Sequence, residues 1–212
     1  MTALELQKVY VRLGNFILRD INFSLEEGEV VALTGRSGAG KTTLISVVGN
    51  ALQQDVGVIR YFEKEMYEDE VEIRKNMSVI FGSPHCNMEM RAIRMAKEIN
   101  KFEKSFDLDA FRSCLNYFEL DENSRIKHFS TGMQKKYMLS LALSRKQKLL
   151  VMDELSSGLD EQSRNEAWDL IKNYQQKHGL TVLFSSHYPQ EVKLYANREF
   201  RLENGGLQCV NI

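Results

Sequence analysis

Proline is almost missing from this chain, with 2 in 212 residues, and cysteine is scarce, with 3. So few prolines, beside only 13 glycines, exclude a collagen-like repeat and a Pro/Gly-rich disordered polymer. Cys86, Cys114 and Cys209 are odd in number and far apart, which excludes a disulfide framework and fits the reduced thiols of a cytosolic protein. His85-Cys86 finds no second pair of ligands, so no metal site is read from it. A charge excess is lacking too: the formal net charge is −1, without the global basic field that accompanies nucleic-acid or anionic-membrane binding. No apolar run approaches the ~20 residues of a membrane span. Met1-Thr2-Ala3-Leu4-Glu5-Leu6 lacks the basic start and apolar stretch of a secretory signal. The expectation is a soluble, cytosolic chain.

What is present is a folding composition, 43% hydrophobic and 27% charged, at a length that fits one domain with subdomains. Ile21, Phe23 and Leu25 alternate with Asp20, Asn22 and Ser24, the period of a half-buried strand, and Leu4-Glu5-Leu6 starts a similar pattern. Antiparallel strands are therefore expected over about residues 1–29. Val30-Val31-Ala32-Leu33 is uniformly apolar, as a strand buried on both faces must be. Met77 to Phe81, Leu149 to Met152 and Thr181 to Phe184 repeat that character, with helical stretches between most of them. This alternation predicts an α/β fold with a parallel sheet, a core of about 30–83 and 131–212. Residues of about 84–130 break the rhythm as a helical insertion, with helices expected over Met88 to Phe106 and Leu108 to Leu120. Six carboxylates between Glu63 and Glu72 read as a solvated loop or helix face. Asn204-Gly205, between Phe200-Arg201-Leu202 and Leu207 to Val210, signals a hairpin.

Chemistry enters directly after the Val30 strand. Gly35-Arg36-Ser37-Gly38-Ala39-Gly40-Lys41-Thr42 matches the phosphate-binding loop Gly-x4-Gly-Lys-[Ser/Thr], and Thr43 follows it. Glycines let backbone N–H groups wrap a polyphosphate, and the helix starting near Lys41 turns its positive end to the same anion. Lys41 suits the β- and γ-phosphates, and the Thr42 hydroxyl suits Mg²⁺. A P-loop by itself implies a nucleotide with Mg²⁺ and not the reaction, because kinases, GTPases and motor ATPases share it. The apolar run ending at Met152 leads into Asp153-Glu154, at the sheet edge that a P-loop occupies. Asp153 is read as a metal ligand acting through water, and Glu154 as the general base for an attacking water.

Phe129-Ser130-Thr131-Gly132-Met133, Ser157-Gly158-Leu159-Asp160 and Phe184-Ser185-Ser186-His187 follow in order with the P-loop and the carboxylates. With these motifs nearly the whole chain resembles the ATP-binding cassette (ABC) ATPases. The resemblance implies a P-loop NTPase core with an antiparallel β subdomain and a helical insertion. It makes Ser130 and Gly132 the signature segment, Asp160 the D-loop aspartate and His187 the switch histidine that acts with Glu154 in catalysis. In the family the signature caps the nucleotide of the opposing subunit, which implies a second ABC ATPase, identical or related, packed head to tail. It further implies a separate transmembrane permease, with this chain at the cytoplasmic face of the membrane. The signature and the compact insertion look more like export-type subunits. The alternative is a soluble cassette ATPase acting on DNA or ribosomes; it usually has a long coiled coil or two cassettes, and nucleic acid is not expected here.

Three departures from the family stand out. Leu13 falls where an aromatic residue stacks on adenine, leaving Tyr10 or Phe16 as substitutes. Gly82-Ser83-Pro84-His85 lacks the glutamine expected after the strand ending at Phe81, with only Ser83 or His85 offering a polar contact. Leu155 replaces the proline after the glutamate. The segment Gly82 to Arg94, with Met88 and Met90, is expected to contact the membrane partner.

Overall fold

The computed structural model describes residues 1–83 and 86–210. Two sheets share one core. β1 (Thr2–Leu13) and β2 (Phe16–Glu26) form the expected antiparallel pair. The sheet does not stop at residue 29, because β4 (Val56–Tyr61) and β5 (Lys64–Glu65) join it in the order β2-β1-β4-β5. Sequence alone left these residues with the P-loop core, since neither segment alternates clearly.

The larger sheet holds β3 (Val30–Thr34), β6 (Met77–Ile80), β7 (Leu149–Met152), β8 (Thr181–Ser185), β9 (Arg198–Glu203) and β10 (Gly206–Val210) in the order β10-β9-β3-β8-β7-β6. Neighbours from β9 to β6 run parallel, and β10 closes an antiparallel hairpin on β9. Its turn places Asn204 at φ 50° and Gly205 at φ 77°, the positive values that a two-residue hairpin loop demands. The apolar run of β3 serves both faces: Val30 and Ala32 enter one core cluster, Val31 and Leu33 the other. Leu150 and Met152 likewise oppose Leu149 and Val151.

The cluster between the two sheets takes in Leu44 and Ile45 of α1 (Lys41–Val48). The other carries the helical part. There α6 (Glu161–His178) packs Trp168 on Phe184, with ring centroids 4.7 Å apart, and on Tyr195 of α7 (Pro189–Tyr195) at 4.4 Å. Asp160 caps α6 by accepting from the Ser163 N–H, and Gly179 ends it in the left-handed region. A short helix α2 (Glu70–Asn76) precedes β6 and receives part of the acidic stretch on its exposed face.

The insertion is helical but shorter in its helices than its composition suggests. α3 spans Ala92–Phe102 rather than beginning at Met88. Met88 and Met90 instead use their carbonyls to accept from Lys127 and Ile126 N–H groups at 2.9 and 3.0 Å, and the Met90 N–H bonds back to the Asn87 carbonyl at 3.1 Å, so this stretch is a turn. α4 spans Leu108–Tyr117 and is capped by Asp107; Glu119, at φ 56°, ends the turn before Leu120. α5 (Thr131–Leu143) closes the insertion against an aromatic group in which Phe111 and Phe129 lie 6.0 and 5.8 Å from Tyr137. Among the described residues no helix is long and apolar enough to cross a membrane, and no cluster of His, Cys, Asp and Glu could hold a metal.

Candidate functional site

β3 delivers the chain into the loop 35–40, and α1 begins at Lys41. Gly40 sits at φ 104°, and a Cβ there would lie 2.2 Å from Cζ of Phe16, so only glycine lets this turn form. Arg36, Ser37 and Gly38 are exposed. Lys41 is buried, and its ammonium donates to the carbonyls of Gly35 and Arg36 at 3.0 and 3.3 Å. The same nitrogen lies 3.7 Å from Oε1 of Glu154, which ends its reach across the loop.

Glu154 follows β7 and Asp153. The buried Asp153 accepts from the Ser185 hydroxyl at 2.7 Å, and that hydroxyl accepts from the Glu154 N–H at 2.9 Å. β8 thus fixes both carboxylates through one serine. Oε1 of Glu154 is 3.9 Å from Nδ1 of His187, placing the carboxylate between the lysine and the histidine. Lys41, Glu154 and His187 therefore meet, as the sequence reading expects of a site for phosphate, base and switch. Thr42 and Asp153 line one cavity of about 550 Å³ with Ser83, so the two expected metal ligands and one candidate for the missing glutamine share a space. His85, the other candidate, lies outside the described residues.

Ser130, Gly132 and Asp160 form a separate group. Ser130 is exposed and caps α5 by accepting from the Met133 N–H at 3.2 Å. Gly132 faces Leu159, whose side chain lies 3.3 Å from where a Cβ would stand. Asp160 is exposed, and the Ser163 N–H beside it holds its carboxyl below the usual aspartate value. Among the described residues none of the three hydrogen-bonds to the P-loop. Thr43 is half-buried in the first turn of α1.

The departures resolve in space. Leu13 is 44% exposed at the end of β1 and pairs with Phe16 across the turn. Tyr10 pairs with Val56 inside the antiparallel sheet. Phe16 packs on Gly40, and with Asn15, Arg36 and the 202–205 turn it lines a cavity of about 700 Å³ beside the P-loop. Leu155 is buried in the core, which replaces the stiffness of proline by packing. Met88 also packs against the core, and the groove between β6 and the insertion is lined by Ser83 and Cys86 of the 82–94 segment together with Ile99, Met138, Leu141 and Arg145.

Other contacts had no sequence signal. Glu191 on α7 is 3% exposed and accepts from Trp168 Nε1 at 2.5 Å and from the hydroxyls of Ser156 and Ser186. The Ser186 hydroxyl also accepts from the Tyr188 N–H, so this carboxylate reaches the backbone on either side of His187. Tyr188 lies between the His187 ring, at 4.1 Å, and the Arg164 guanidinium, also at 4.1 Å.

Comparison with known proteins agrees with this geometry. The family model described as "ABC transporter" matches residues 18–157. The mouse protein "ATP-binding cassette sub-family A member 17" is 31% identical over 99% of this chain, which spans 12% of that relative's length. The Bacillus subtilis protein "ABC transporter ATP-binding protein YtrB" is 27% identical over 93% of this chain and 67% of its own. A dimeric ATP-binding cassette solved in a post-hydrolysis state with ADP and Pi has a TM-score of 0.83 at 20% identity, with 99% of each chain covered. The motif order, the two-sheet core and the family match together make this chain a member of the ABC transporter family, within its ATP-hydrolysing domain.

Proposed function

We propose that this chain works as one half of a head-to-tail pair of cassettes, hydrolysing ATP to drive a membrane-spanning partner in export from the cytoplasmic face. The observation that carries the reading is the meeting of Lys41, Glu154 and His187 at the P-loop. Backbone N–H groups of residues 35–42 and the Lys41 ammonium bind the β- and γ-phosphates. Glu154 takes the proton of a water as its oxygen attacks the γ-phosphorus, and ADP leaves with the bridging oxygen. His187 holds the Glu154 carboxylate and contacts the γ-phosphate. The Thr42 hydroxyl and Asp153 carboxylate would hold Mg²⁺, since both are hard oxygen donors lining one cavity. When bound, that cation neutralises charge on the phosphate oxygens.

Pairing is supported by the exposed Ser130 and Asp160, which make no bond to their own P-loop, and by the dimeric state of the structural relative. Export is supported by resemblance of the signature and compact insertion alone. Coupling to a membrane partner is supported by the groove between β6 and the insertion, a cavity of about 410 Å³. It continues to a second cavity shared through Ile99, Glu103 and Arg145, where Val71 and the 89% exposed Phe102 present apolar surface. Because both side chains are exposed, Val71→Glu and Phe102→Glu are expected to leave folding and basal ATPase unchanged. Fractionation of the native cell tests the reading: the natural protein should sediment with membranes, and the double variant should move to the soluble fraction. A natural protein found wholly in the soluble fraction contradicts it.

A further inference from the structure

Lys135 and Lys136 stand together one turn into α5, and they part ways. Lys136 pairs with Glu166 at 2.8 Å. Lys135 turns inward, is 5% exposed and has no carboxylate among its hydrogen-bond partners. Its ammonium donates to the Glu154 carbonyl at 2.7 Å and to the Ser157 carbonyl. A buried cation satisfied by main-chain oxygens alone is an expensive way to pack a helix. Burial pushes this ammonium below the usual lysine value, while the charges of Glu154 and Asp153 pull it back up.

The target of this contact is unusual as well. Glu154 has φ 47°, a left-handed backbone for a residue that has no local reason to adopt it, and such conformations persist only where the surroundings enforce them. Two groups do so. Ser185 of β8 accepts the Glu154 N–H at 2.9 Å, and Lys135 of α5 donates to the Glu154 carbonyl at 2.7 Å. One anchor belongs to the sheet. The other belongs to the helix that Ser130 caps, five residues upstream or about 7–8 Å along its axis at the α-helical rise.

We propose that Lys135 is a positioning residue that ties the signature helix to the backbone of Glu154 in the same chain, so that the aim of the base depends on where α5 sits. This rests on the reading of Glu154 as the base. A cassette whose signature segment engages the opposing subunit's nucleotide then carries its own base with it, through one ammonium and two carbonyls.

The test uses the full chain with MgATP and the variants Lys135→Gln, Lys135→Met, Lys135→Arg and Glu154→Gln. Gln and Met are expected to unfold cooperatively and bind ATP within about twofold of the natural protein, while kcat falls on the order of 10- to 100-fold, the cost of an ångström-scale misplacement. Arg, which restores charge and several donors, is expected to recover most of that loss. A folded Gln variant with kcat within about twofold of normal overturns the proposal. So does a parallel loss of binding and turnover, a loss that Arg leaves unrepaired, or unfolding of both neutral variants, which makes Lys135 a folding residue only. Glu154→Gln separates the two readings. If it turns over normally, the general-base reading falls and the proposal with it; if it is inactive while Lys135→Gln is normal, the proposal falls alone.

Discussion

Replacing Glu191 by leucine would leave three buried donors, Trp168 Nε1 and the Ser156 and Ser186 hydroxyls, without their shared acceptor. Each orphaned buried donor costs about 1–3 kcal/mol, and hydroxyls that rotate to another acceptor recover part of that. A loss of about 3–6 kcal/mol is expected, a large share of the ~5–15 kcal/mol that holds a domain together. Glu191→Gln is the informative contrast. The amide keeps the shape and one acceptor oxygen, but it loses charge assistance, about 1 kcal/mol for each bond. A loss of about 2–3 kcal/mol is expected for that variant. Urea denaturation reads both values from the shift in midpoint at constant m. The ranking Leu worse than Gln worse than Glu is the signature of an acceptor-driven network. Because the network touches Ser156 behind Glu154 and Ser186 before His187, the folded Gln variant should also show reduced kcat. A Leu variant within about 1 kcal/mol of the natural protein would refute the reasoning, since three unsatisfied donors cannot be that cheap.

Other outcomes follow from separate parts of the molecule. Phe16→Ala should weaken nucleotide binding by about 1–3 kcal/mol if its ring supplies the base contact, with little discrimination between ATP and GTP in the natural protein; competition binding with both nucleotides checks this, and a hundredfold preference for either would point to a specific polar contact instead. Asp107→Ala should cost about 1 kcal/mol in urea denaturation, because its carboxylate accepts from the Asp109 and Ala110 N–H groups at the start of α4. Those bonds, the Ala110 N–H foremost, hold the Asp107 carboxyl below its ordinary value, so its stabilisation is full above pH ~4 and is lost as pH falls through the lower folded-state value. Acid titration of the Ala variant should accordingly show a smaller stability loss below pH ~4 than the natural protein.

The elements that local pattern dictates were legible in the sequence. β3, β7 and β8 carry apolar runs at Val30 to Leu33, Leu149 to Met152 and Val182 to Phe184 because helices or strands cover both faces, and the P-loop glycines announce a turn that larger residues cannot make. Glu154 and His187 follow strands whose ends are set by those runs, so their approach to Lys41 was implied by parallel topology. What escaped depends on partners distant in the chain. Lys135 meets Glu154 and Ser157 from another helix, and Glu191 meets Ser156 and Trp168 from another, so neither shows a local period. Met88 and Met90 looked helical because methionine favours helices, yet the backbone of residues 126–127 offered them a pairing that a helix could not. β4 and β5 were missed for a related reason: β4 takes its place from β1 and β5 from β4, pairings that no local period announces.

Glu154→Gln tests the central claim most directly, with ATP binding, phosphate release and light scattering measured on the same protein. Removal of a positioned general base costs on the order of 10²–10⁴-fold in rate while leaving the phosphate contacts of Lys41 in place. The expected result is normal MgATP binding, phosphate release reduced by that factor, and a dimer that persists with ATP and dissolves when nucleotide is removed. Phosphate release at the natural rate would contradict the account.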